Sequence, residues 1–83
     1  MSDLTDLETS ILAIEKLWWQ YTGTKEQAIR ERTGLSPTRY YQALNALIDT
    51  EAALAHDPLL VKRLRKIRAE RQRTRSARRL GFA

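Results

Sequence analysis

Residues 24–48, TKEQAIRERTGLSPTRYYQALNALI, decide the fold, because they hold two helix starts separated by one forced break. Thr24-Lys25-Glu26-Gln27 has the form of a capping box, a hydroxyl at the cap with a glutamine three residues on. A short helix to about Thr33 follows, with Ala28 and Ile29 as its inward candidates. Gly34 breaks it, and Ser36-Pro37 then places a capping hydroxyl ahead of a proline in the first helical position. The next helix, from Pro37 to about Asp49, offers Tyr40, Ala43 or Leu44, Leu47 and Ile48 to a core.

Working toward the N-terminus, Leu4, Leu7, Ile11, Ile14, Trp18 and Tyr21 are spaced 3-4-3-4-3, and Leu12 and Leu17 widen the stripe. That period predicts an amphipathic helix from about Thr5 to Gln20, with Asp3, Asp6 and Glu8 at its positive end and Gly23 ending it. Toward the C-terminus, Thr50 can cap a brief turn through Ala52, Ala53 and Leu54. Asp57-Pro58 is a second cap-plus-proline start. In the helix it opens, Leu59, Leu60, Leu64 and Ile67 keep helical spacing and are expected to pack on the body. Beyond Ile67 the apolar residues dwindle to Ala69 and Ala77, until Leu80 and Phe82. That segment has little to bury and is expected to fray or project into solvent.

Eighty-three residues allow one domain, near the small end of what folds without staples. With no cysteine, neither a disulfide nor a thiolate metal site supplements the core. Three glycines and two prolines leave few breaks, and no sustained alternation of apolar and polar residues marks a strand. The expected fold class is all-α: a small bundle of four to five helices containing a helix-turn-helix, with a long basic C-terminal helix. Residues 1–67 read as the helical domain and 68–83 as a basic arm. The opening MSDLTDLETS lacks the basic and apolar regions of a signal peptide, and no apolar run approaches the roughly 20 residues of a membrane span. A soluble, cytoplasmic protein is expected.

Charge is sorted along the chain. Through Pro58 there are five basic and nine acidic residues, a net −4; from Leu59 onward ten basic residues face the single acid Glu70, a net +9. An acidic body with a cationic end points to a polyanion, most often nucleic acid. The turn Thr33-Gly34-Leu35-Ser36 also has the form of a DNA-binding helix-turn-helix, in which the second helix presents its beginning to the major groove. Its outward face is expected to show Thr38, Arg39, Gln42 and Asn45, beside the cap Ser36 and the hydroxyl of Tyr41. Arginine pairs with guanine, glutamine or asparagine with adenine, and threonine meets phosphate or a thymine methyl. Phosphate contacts are assigned to Lys62, Arg63, Arg65, Lys66, Arg68, Arg71, Arg73, Arg75, Arg78 and Arg79. Six or so such contacts imply that log K against log salt falls with a slope of about −5. One departure stands out: the position four before the glycine, usually small in such motifs, is Arg30, while the alanine is Ala28. This leaves open a shift by one position in the outward set.

WWQYTGTKEQAIRERTGLSPTRYYQALNALI, followed by DPLLVKRLRKIRAERQRTRSARRL, resembles a family of short actinobacterial proteins catalogued as a domain of unknown function. The likeness covers roughly residues 10–80 and is carried above all by the RYYQ, LN and LI strings. It implies a helix-turn-helix DNA binder, with nucleoid-associated behaviour suggested for some members, and implies neither enzymatic activity nor a cofactor.

Plainer roles stand beside these. Adjacent tryptophans cannot share a helix face, so Trp18 is expected in the core and Trp19 at a partly exposed packing or dimer position, the alternative being stacking on bases. Tyr40 is expected to be buried. His56 has no second ligand at metal spacing, and no nucleophile stands with a base, so no metal site, no cofactor and no enzyme is expected. Leu4, Leu7, Ile11 and Ile14 form a stripe longer than three short helices need, which argues for a homodimer. The expected partner is DNA, in a nucleoid-associated or transcriptional regulatory role, with no membrane and no small-molecule substrate. The rival is a protein–protein interaction module that binds a transcription component or an acidic surface. Backbone contacts alone do not separate DNA from RNA, and no RNP-type aromatic string points to RNA.

Overall fold

Every N-terminal cap expected from the sequence forms, and each sets the phase of the helix behind it. The computed structural model describes residues 3–79, with side chains through Ser76. Among these are five α-helices and no strand: α1 Asp6–Leu17, α2 Lys25–Thr33, α3 Pro37–Leu47, α4 Glu51–His56 and α5 Pro58–Arg79. A 3-10 turn, Trp18–Gln20, continues α1. Thr5 and Glu8 close a capping box that the sequence reading had not singled out, with bonds of 3.1 and 2.9 Å. Thr24 and Gln27 close the expected one, at 3.1 and 3.0 Å. Ser36 Oγ accepts from Arg39 N–H at 3.3 Å, Thr50 from Ala53 at 3.2 Å, and Asp57 Oδ1 from Leu60 at 3.2 Å.

These phases bring one core together. It contains Ile11, Leu12 and Ile14 of α1, Ala28 and Ile29 of α2, Tyr40, Leu44 and Leu47 of α3, then Ile48, Ala53 of α4, and Leu60 and Val61 of α5. Helix α1 packs on α2 and α3, α2 packs on α3, and α4 packs on α5. Gly34 ends α2 with φ +73°, its N–H bonded to Arg30 O at 3.0 Å, and three residues later α3 begins. Arg30 is exposed and Ala28 buried, yet α3 turns in Tyr40, Leu44, Leu47 and Ile48 without the shift by one that Arg30 left open. Helix α5 has 22 residues, about 33 Å at 1.5 Å each, and only its beginning is covered by the body. The molecule measures 46 × 30 × 21 Å.

Three expectations need correction. Trp18 is not in the core but 39 % exposed, because after Leu17 the chain winds as a 3-10 turn, about 120° per residue instead of 100°, which takes Trp18 off the apolar stripe. Gly23 does not end α1, which has already closed; its φ of +93° instead leads the chain into the capping box of α2. Leu59 is 84 % exposed while Val61 is fully buried. With Leu60, Val61 and Leu64 facing inward, the residue one step before Leu60 is rotated by 100° toward solvent. Ile11 and Ile14, two members of the stripe that argued for a homodimer, are buried within the single chain, and Leu4 packs at the core edge. Leu7 is the exposed member, at 41 %. The helix passes without interruption through residue 68, where body and arm were divided. Residues 80–83 of that arm lie outside the described residues. No helix among the described residues is long and apolar enough to cross a membrane.

Candidate nucleic-acid interface

The outward residues of α3 follow from what its inward face requires. With Tyr40, Leu44 and Leu47 buried, helical phase turns Thr38, Arg39, Gln42 and Asn45 outward, and all four are exposed. Tyr40 holds this register firmly. Its hydroxyl donates to the Glu15 carboxylate, with Ile11 O a longer second acceptor at 3.3 Å, which ties α3 to α1. Burial first, and then the bond to Glu15, push that hydroxyl's pKa far above its ordinary value, so it stays a donor. Tyr41 stands edge-on to Tyr40, with centroids 5.1 Å apart and planes at 85°, and is 39 % exposed.

The ten basic residues assigned to α5 do not act alike. Arg65 Nε donates to Ile48 O, and Arg68 donates to Asn45 O at 3.1 Å and with two nitrogens to Asp49, at 2.6 and 3.2 Å. Both therefore bind the carbonyl end of α3, where unpaired C=O groups and the helix dipole favour cations. The hydrogen bond from Arg68 holds the Asp49 carboxyl below the usual carboxylate range, and Asp49 in turn raises Arg68. Arg68, assigned to the arm by its sequence position, is in fact an anchor of the body.

Around this anchor residues of α5 and α3 line an open cleft of about 580 Å³. Its lining includes Trp18, Lys25, Tyr41, Leu44, Asn45, Ile48, Arg63, Leu64, Ile67, Arg71 and Arg75. Tyr41 and Asn45 of α3 thus line the same cleft as Arg63, Arg71 and Arg75 of α5, whereas Thr38, Arg39 and Gln42 do not line it. Lys62, Lys66 and Arg73 are exposed and do not line it; 100° per residue places them on the far side of the helix. Arg78 and Arg79 fall within α5, but their side chains lie outside the described ones.

Lys25 and Trp18 were not among the residues expected at this surface. Lys25 Nζ lies 5.3 Å from the Tyr41 ring centroid and 5.9 Å from that of Trp18, and pairs with Glu15 at 3.0 Å. In the sequence it is an ordinary second residue of a capping box, so no local signal marked it. Trp18 carried a signal, its neighbour Trp19, but the 3-10 turn that exposes it has none.

No curated protein and no solved structure matches the chain. A family described as a protein of unknown function, DUF3263, matches residues 3–76, a span that takes in the two-helix unit and most of the cationic helix. The chain belongs to the DUF3263 family.

Proposed function

We propose that this protein is a non-enzymatic DNA-binding protein of the cytoplasm, nucleoid-associated or transcriptional regulatory in role. The observation that carries the reading is the cleft between α3 and α5, where Tyr41 and Asn45 face Arg63, Arg71 and Arg75, which have no ion-pair partner among the described residues. Helix α3 enters the major groove by its first turns, led by Thr38, Arg39 and Gln42, and Asn45 follows one turn on. The arginines of α5 contribute most of the affinity by releasing counterions condensed on the phosphates, while α3 contributes position and modest sequence preference. Arg65 and Arg68 act indirectly, by fixing α5 against α3. A homodimer belongs to the same proposal, with Leu7 as the exposed member of the stripe that suggested it.

A gel shift on duplex DNA tests this. Deleting residues 69–83 should weaken binding to all sequences about equally, and Arg39→Ala or Gln42→Ala should change the discrimination between sites by about 1–3 kcal/mol. Binding that survives both changes unaltered would refute the assignment.

A further inference from the structure

Duplex binding leaves part of the cleft unexplained. Trp18 and Tyr41 stand in its wall with 39 % of their surfaces open, and Leu44 and Ile48 of the body, with Leu64 and Ile67 of α5, form its apolar floor. Over this floor the rim is cationic. The cleft's one acid among the described lining residues, Glu15, is mostly buried and is held by Lys25 and by the Tyr40 hydroxyl. Arg68 is matched by Asp49, whereas Arg63, Arg71 and Arg75 have no ion-pair partner among the described residues. The accessible field is therefore positive above an aromatic, apolar base.

A duplex has little use for such a base, because its rings are stacked inside and it offers phosphates and groove edges. An unpaired strand offers phosphates and ring faces together, and aromatic side chains beside a basic groove are how proteins hold such strands. We propose that the cleft binds a segment of single-stranded nucleic acid, with bases stacked on Trp18 and Tyr41 and phosphates on Arg63, Arg71 and Arg75. From Arg63 to Arg75 the helix rises about 18 Å, which accommodates a few nucleotides. The inference rests on the reading of the chain as a nucleic-acid binder and shares Arg63, Arg71 and Arg75 with it, but stacking on Trp18 and Tyr41 belongs to the single strand alone, so binding of oligothymidine and of duplex fail separately.

The test uses the full chain with Trp19→Phe, which leaves Trp18 as the only tryptophan. Titration with oligothymidine of about 15 nucleotides, which forms no duplex of its own, should quench Trp18 fluorescence to saturation. Trp18→Leu and Tyr41→Leu, read by anisotropy of a labelled oligothymidine, should each raise Kd about tenfold, the loss of one stacked base. Both positions are open, and circular dichroism checks that each variant folds. Arg39→Ala should leave the oligothymidine Kd unchanged while weakening duplex binding. The proposal is overturned if the duplex binds and oligothymidine does not, or if both leucine variants bind it as the parent does. It is equally overturned if an acidic amphipathic peptide quenches Trp18 and displaces the strand, which assigns the cleft to a protein helix. Failure of duplex and single strand alike removes the proposed function as well.

Discussion

Replacing Arg71 and Arg75 together by glutamine should halve the salt dependence of duplex binding, whereas replacing Lys62, Lys66 and Arg73 should leave it nearly unchanged. The magnitude follows from how α5 distributes its charge. Arg65 and Arg68 are engaged by the carbonyl end of α3. Lys62, Lys66 and Arg73 project from the side opposite the cleft, and one rigid duplex cannot touch both sides of the helix. Among the described side chains, Arg63, Arg71 and Arg75 then act with Arg39, whose charge displaces a counterion as it enters the groove, so about four cations count and the slope of log K against log salt becomes about −3.6 instead of −5. Between about 50 and 200 mM salt, affinity should fall about 150-fold for the parent chain. With two contacts removed the slope is about −1.8 and the fall about 12-fold. Anisotropy of a labelled duplex across that range measures both. If the triple variant flattens the slope as much as the double one, α5 acts as a diffuse polycation and the cleft shared with α3 has no role.

Two further outcomes test how the body is built. Gly23→Ala must place a Cβ against Gln27 Oε1 at a φ of +93°, so it strains the backbone and opens the capping box of α2. A loss of about 2 kcal/mol is expected, or roughly 10 °C in Tm, against about half that for Gly34→Ala, whose Cβ meets nothing; thermal melts showing equal losses would contradict this account. For Asp57, the bond from Leu60 N–H, and after it Lys16, hold the carboxyl below its usual pKa. A lowered folded-state pKa means stabilisation that is complete above about pH 4 and lost as the pH falls further. Asp57→Asn keeps a good cap but no charge, so urea melts should find it less stable than the parent at neutral pH, with the gap closing in acid.

The caps were legible because each is a short pattern whose physics is local. Ser36-Pro37, Thr24-Lys25-Glu26-Gln27 and Asp57-Pro58 each supply their own acceptor to the first free N–H groups, and all three opened helices where expected. The inward face of α3 was legible for the same reason, since the cap at Ser36 fixes its phase. What failed was long-range phase. Reading α1 as one uninterrupted period put Trp18 in the core, and counting leucines on α5 chose Leu59 over the smaller, fully buried Val61. Three residues of 3-10 geometry, or one step of 100°, reverse such an assignment without altering the composition at all.

The roles of the arginines were illegible for a further reason. In sequence, Arg65 and Arg68 cannot be told from Arg63 and Arg71, because the difference lies in the end of α3, some twenty residues away. The last carbonyls of that helix need donors, and the next turn of chain leaves those of Asn45 and Ile48 open toward α5. A guanidinium is suited to that place, since it donates several parallel bonds and keeps its charge. Once Arg65 and Arg68 are committed there, helical phase alone puts Arg71 and Arg75 on the Tyr41 side of α5 and Lys62, Lys66 and Arg73 on the other. The acidic body is thereby more than a counterweight to a basic tail. Asp49 draws in the first arginine of the supposed arm and so aims the rest. A charge pattern that sequence presents as two blocks is, in the folded chain, one anchored joint with a cationic side directed along the face of α3.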